Sequence, residues 1–149
     1  MRIALFQPDQ PGNVGAILRL GACLGVPVDV IEPCGFAFSA RALKRAAMDY
    51  GAQARLTRHP GWDDFLRVLD GRLLLFTTAG ERRLPDVCFE PDDTLLFGSE
   101  STGAPPEVHH RADLRLRIPQ VGDTRSLNIA IAAGIALTEA LRQTDGWPR

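Results

Sequence analysis

At 149 residues, with 45% hydrophobic and 23% charged side chains, the chain has the composition of one ordinary globular domain, residues 1–149, able to bury a core without a metal or disulfide staple. Its 17 basic and 18 acidic residues leave a net charge of −1, which argues against a uniformly basic nucleic-acid binder but leaves room for cations gathered on one face. No apolar run is long enough for a bilayer, Arg2 to Phe6 is too short for a signal peptide, and Cys23, Cys34 and Cys88 form no C-x-x-C pair, so the expectation is a cytoplasmic protein without membrane, disulfide framework or metal.

In chain order, Arg2 to Gln7 reads as a short buried strand and Pro8 to Gly12 as a loop. Asn13 is placed to cap a helix running to about Leu24, with Val14, Ile17, Leu18, Gly21 and Leu24 on its packed face. Val26 to Glu32 is a second apolar strand, and Ser39 caps a second helix through about Met48. Ala54 to Thr57 reads as a third strand and Gly61 to Leu69 as a short amphipathic helix. Arg72 to Thr77, Thr94 to Phe97 and Leu114 to Ile118 are strands, and a last helix spans about Ser126 to Arg142. Strands that are apolar throughout, alternating with helices, predict an α/β fold: a mostly parallel sheet with helices on both faces.

Three clusters follow the ends of apolar strands, where open α/β sheets bind ligands. The first is Asn13-Val14-Gly15-Ala16-Ile17-Leu18-Arg19, in which Gly15 and Arg19 share a helix face and glycine leaves space one turn before the arginine. A capped helix with a solvated arginine explains the same spacing. The second is Gly98-Ser99-Glu100-Ser101-Thr102-Gly103-Ala104-Pro105. Glu100 stands where a pyrophosphate would need bare amides, so this is not read as a phosphate loop. A glycine loop bearing a carboxylate suits a ligand with hydroxyls and a positive centre, such as adenosyl-ribose with a sulfonium; a plain turn-rich connection is the alternative. The third is Ile118-Pro119 with Ser126-Leu127-Asn128 opening the last helix, where Ser126 is the expected N-cap and the first amides could hold a carboxylate or nucleoside edge, or serve only the local backbone.

Arg41, Lys44 and Arg45 fall at i, i+3 and i+4 and form one positive stripe suited to RNA phosphates, as Arg111, Arg115, Arg117 and Arg125 gather near the third cluster; solvated helix faces account for the same residues. His59, His109 and His110 have no ligand spacing and are assigned no chemistry.

Taken together, the clusters resemble the three signature motifs of the SPOUT-class RNA methyltransferases. They correspond to N-x-G-x-x-x-R at Asn13, Gly15 and Arg19; G-x-E-x-x-G-x-P at Gly98, Glu100, Gly103 and Pro105; and I-P with S-L-N at Ile118, Pro119, Ser126, Leu127 and Asn128. The short length, Phe6-Gln7-Pro8-Asp9, Ile31-Glu32-Pro33 and Met48-Asp49-Tyr50-Gly51 are similar to the minimal branch that methylates the wobble ribose, cytidine or uridine 34, of tRNA. The resemblance implies a C-terminal trefoil knot, which residue patterns could not suggest because knots are almost absent from protein folds. It also implies S-adenosyl-L-methionine held by Phe76, Thr77, Gly98, Glu100, Gly103, Ile118, Ser126 and Leu127, and a homodimer packed through its first and last helices. Arg19 and Asn128 would be catalytic, with Arg19 near the methyl donor of the neighbouring chain, and Asn13 would meet an RNA substrate at the tRNA anticodon stem-loop. Val14, Gln120, Ala130 and Ile131 depart from the usual pattern, where threonine, methionine and more polar residues stand, and the tail after Trp147 is short. Alternative readings are a same-class enzyme for another tRNA or rRNA site and a non-catalytic nucleotide-binding module. A flavodoxin-like carrier is disfavoured, because Pro8-Asp9-Gln10-Pro11 occupies the place of its Ser/Thr/Gly loop.

Overall fold

A computed structural model describes residues 1–39, 55–122 and 124–149. The elements are β1 (Arg2–Phe6), α1 (Pro11–Leu24), β2 (Val28–Ile31), β3 (Leu56–His59), α2 (Trp62–Val68), β4 (Leu73–Phe76), β5 (Arg82–Arg83), a 3-10 turn (Leu84–Asp86), β6 (Thr94–Phe97), α3 (Pro106–Arg111), β7 (Leu114–Arg117) and α4 (Ile129–Gln143). The expected helix from Ser39 to Met48, and with it the Arg41, Lys44 and Arg45 stripe, lies outside the described residues.

Among the described residues, seven strands form one sheet in the order β3-β2-β1-β6-β4-β7-β5, each paired in parallel with its neighbours. Leu73, Leu74 and Leu75 are each fully buried because adjacent side chains enter opposite layers. On one face Ile3, Leu5, Val30, Leu74 and Leu95 meet Val14, Ile17 and Leu18 of α1 and Ala133, Ala136, Leu137 and Ala140 of α4. On the other, Ala4, Leu73, Leu75 and Leu96 meet Phe65 of α2 and Val108 of α3. Helices therefore cover both faces, and burying each large aliphatic contributes about 1.5–3 kcal/mol.

Two helix starts differ from the expectation. Pro11, whose ring presets a helical φ, opens α1 two residues ahead of Asn13, and Gln10 is the N-cap without a side-chain bond. Asn13 is thus inside the first turn, with its amide side chain available elsewhere. Similarly, α4 is capped by Asn128, not Ser126: the Asn128 carboxamide oxygen accepts from the amides of Ala130 (2.9 Å) and Ile131 (3.4 Å). The two-residue β5 went unforeseen, since Arg82 and Arg83 have no apolar pattern and become strand only by pairing with Leu116 and Arg117.

At the other end of the sheet from the three clusters, fully buried Asp93 receives both arms of Arg72 (2.8 Å each) and the Glu90 amide (2.7 Å). The hydrogen-bonded Asp93 carboxylate holds the Arg72 guanidinium above its usual pKa. Arg72→Ala should cost about 3 kcal/mol, and more than Asp93→Ala, because it strands the buried charge whereas the half-exposed arginine can be rehydrated. Urea unfolding of both variants checks this order; equal midpoints would contradict it.

Candidate active site

The carboxyl ends of β4, β6 and β7 open onto a cavity of about 640 Å³. Its lining includes ten of the residues singled out from sequence: Asn13 from motif one, Gly98, Glu100 and Gly103 from motif two, Ile118, Ser126, Leu127 and Asn128 from motif three, and Phe76 with Thr77 after β4. Arg19 is not among them; it stands exposed on α1, while Gly15 is buried, so the space left by the glycine is closed over.

Each wall has a local cause. Phe76 and Phe97 end neighbouring parallel strands in register and stack at 5.0 Å between centroids, forming an apolar floor. Beyond Phe76 the chain is fastened to β7: the Thr77 amide donates to the Leu116 carbonyl (2.9 Å), and Arg117 donates to the Gly80 carbonyl (2.7 Å). The loop after β6 folds on itself, Ser99 and Gly103 exchanging backbone bonds of 3.1 and 2.9 Å, with Gly103 at φ 69°. A Cβ on Gly98 would lie 2.5 Å from the Gly103 carbonyl carbon and 2.6 Å from the Ala104 nitrogen, so no side chain fits there. The amides of Ser99, Ser101, Thr102 and Gly103 are all bonded to oxygens of the protein, the physical reason that this loop is not a phosphate cradle.

The polar end is a connected set. Glu100 accepts from the Asp9 amide and from the Asn13 side chain, both at 3.0 Å, and the Asn128 side chain donates to that of Asn13 at 2.9 Å. A hydrogen bond with Glu100, then those with Ser101, holds the Asp9 carboxyl below its ordinary value of 3.8. The bonds that depend on ionised Asp9 are therefore complete above that value and are lost only as pH falls through the lowered one. Burial, ahead of the Glu32 charge, pushes the Cys34 thiol to about 11, so at neutral pH it is no nucleophile.

Gln10, Thr78 and Ala79 also line the cavity without having been given a role from sequence, as do Gln120, noted only as a departure from the family pattern, and His109, assigned no chemistry. His109 had one available signal, its position within a turn of the start of α3, which follows the motif-two loop directly. Of the basic residues near the third cluster, Arg115 pairs with Glu81 and Arg111 with Asp113 (3.7 Å). Arg111 and Asp113 stand at the amino end of β7, away from the cavity, whereas Arg115 lies on β7 itself, next to the exposed Arg82 and Arg83 of β5.

Comparison with known proteins agrees with this geometry. The profile of the SpoU rRNA Methylase family matches residues 1–138. The tRNA (cytidine(34)-2'-O)-methyltransferase of Beijerinckia indica is 49% identical over 144 residues, covering 95% of this chain and 90% of that protein. That of Escherichia coli K12 is 37% identical over 151 residues, covering 99% and 96%. A solved structure concerned with 2-OH methylation of C/U34 on tRNA superposes with TM-score 0.91 at 42% identity, covering 95% of this chain and 94% of that one. The AdoMet-bound rRNA methyltransferase of Sinorhizobium meliloti gives TM-score 0.84 at 31% identity, over 95% of this chain and 55% of that one.

Proposed function

Because the chain belongs to the SpoU rRNA methylase family, we propose that it methylates the ribose 2′-hydroxyl of the wobble nucleotide, cytidine or uridine 34, of tRNA. The observation that carries this reading is convergence: three loops far apart in sequence line one cavity, in a chain similar over nearly its whole length to enzymes named for that reaction.

The residues present fit S-adenosylmethionine. Gly98 lets the loop after β6 close on itself to form one wall, Phe76, Ile118 and Leu127 offer apolar walls, and Glu100 and Ser126 offer partners for hydroxyls and a positive centre. That cofactor supplies a methyl group already activated on a sulfonium. The protein's part is to hold an incoming hydroxyl in line and at near-attack distance. Asn13 and Asn128 do so with amide donors at the polar end. Arg19 orients a substrate phosphate and stabilises negative charge growing on the oxygen; a guanidinium is too basic to accept the proton itself.

The reading includes a homodimer. It is supported by an outward apolar strip on α4, Ile131 and Ile135 at 57% and 39% exposure. The knot implied by the resemblance belongs to the same reading. No helix among the described residues is long and apolar enough to cross a membrane, in keeping with work in the cytoplasm.

Incubating the purified protein and cofactor with tRNA lacking 2′-O-methyl groups, then mapping the product by mass spectrometry, should place one methyl at nucleotide 34. Methylation elsewhere, or none, would overturn the assignment. The Arg41, Lys44 and Arg45 stripe is proposed to meet phosphates. Converting all three to alanine should lower the slope of log affinity against log salt by about 2, and an unchanged slope would remove them from the interface.

A further inference from the structure

We propose that Asp9, which lies outside all three motifs, is a positioning residue that sets the donor orientation of Asn13 and Asn128 through Glu100. The inference deepens the methyl-transfer reading and rests on it for its kinetic consequence.

The hydrogen bonds run in one direction only. The amides of Ala130 and Ile131 at the start of α4 can only donate, so the Asn128 carboxamide must turn its oxygen toward them. Its nitrogen then faces outward and donates to the Asn13 oxygen at 2.9 Å. That in turn aims the Asn13 nitrogen at Glu100 Oε1, 3.0 Å away. Both carboxamides are therefore fixed without ambiguity, a helix end at one side and a carboxylate at the other. Each keeps one further N–H for an oxygen arriving in the cavity that both line.

The whole arrangement hangs on how firmly Glu100 is held. Its second oxygen, Oε2, accepts the Asp9 amide at 3.0 Å. Asp9 Oδ2 reaches back to Ser101, accepting its amide at 3.2 Å and its hydroxyl. Residue 9 and residues 100–101 thus clasp each other in both directions, across more than ninety positions of sequence. From behind, Gly35 presses on the Asp9 Cβ so closely that a Cβ of its own would lie 2.5 Å away. Without the Asp9 carboxylate, Ser101 loses its acceptor and Glu100 keeps only the residue-9 amide and the Ser99–Gly103 pair to hold its aim, so its side chain gains room to swing. Asn13 can then flip its carboxamide and present an oxygen where a donor is needed.

The chain contains two asparagines, Asn13 and Asn128, so labelling with 15N-asparagine yields one pair of side-chain NH2 resonances from each. In Asp9→Ala the Asn13 pair should shift and exchange faster with water, and the Asn128 pair should follow. Turnover should fall about 10- to 100-fold, while KM for tRNA and cofactor Kd stay within about threefold. Asp9→Glu should recover part of the turnover. Unmoved asparagine resonances in Asp9→Ala, or moved resonances with wild-type turnover, would overturn the proposal. Should Asp9→Ala not fold, Ser101→Ala, which removes one partner of the same carboxylate at an exposed position, is read by the same criteria. A wild-type protein that methylates no tRNA sinks the functional reading, and the resonances then decide the positioning claim alone.

Discussion

Arg19→Ala should slow methyl transfer about 100- to 1,000-fold while leaving cofactor affinity within about threefold. The two effects separate because Arg19 is exposed on α1 and lines no part of its own chain's cavity. Its removal should leave the cofactor walls untouched and take away the charge proposed to meet the growing negative charge on the attacking oxygen. Single-turnover transfer into tRNA measures the first quantity, and calorimetric titration with the cofactor the second. Near-normal turnover would strip Arg19 of its role. The proposed homodimer allows a sharper form of the same experiment. Arg19→Ala and Asn128→Ala chains should each be nearly inactive alone. In a mixed dimer, one cavity has its own Asn128 and receives the intact arginine of the other chain. Random mixing should therefore restore about one quarter of wild-type activity. No recovery would mean that Arg19 acts within its own chain or that the pair does not form.

Gly98→Val should abolish measurable cofactor binding, a loss of at least about 100-fold, and destabilise the fold by about 1–3 kcal/mol. The atoms a new Cβ would strike, the Gly103 carbonyl carbon at 2.5 Å and the Ala104 nitrogen at 2.6 Å, are both backbone, so no rotamer change relieves the clash. The loop after β6 must open, breaking the Ser99–Gly103 pair that shapes the cavity wall. Gly122→Ala is the control, since nothing lies within 4 Å of its added carbon. Calorimetry and urea unfolding report the two effects. Wild-type affinity in Gly98→Val would mean that the loop does not bound the ligand.

Local pattern was sufficient for the central sheet. Leu73-Leu74-Leu75-Phe76 and, after Thr94, Leu95-Leu96-Phe97 are apolar runs, which a strand covered on both faces satisfies, and the alternation of such strands with helices along the chain pointed to a mostly parallel sheet. The spacing of Asn13, Gly98, Glu100, Ser126 and Asn128 was likewise enough to nominate the site, because each sits just past an apolar strand or at a helix start.

What each of these side chains does was a tertiary matter. Ser126 and Asn128 are both good caps by composition, and Asn13 reads as one too. Pro11 starts α1 early and frees Asn13 from capping, while Asn128, which could equally have pointed at ligand, spends its oxygen on the amides of α4. Asp9 stands outside the three motifs and Ser101 at an unspecified position of the second, and their bond exists because β1 and β6 are neighbours in the sheet. Strand β5 has no apolar period and is created by its partner. Hydrophobic periodicity is a local property and survives in one dimension. The direction of a hydrogen bond depends on which donors the fold delivers to an acceptor, and that is decided only when distant segments meet.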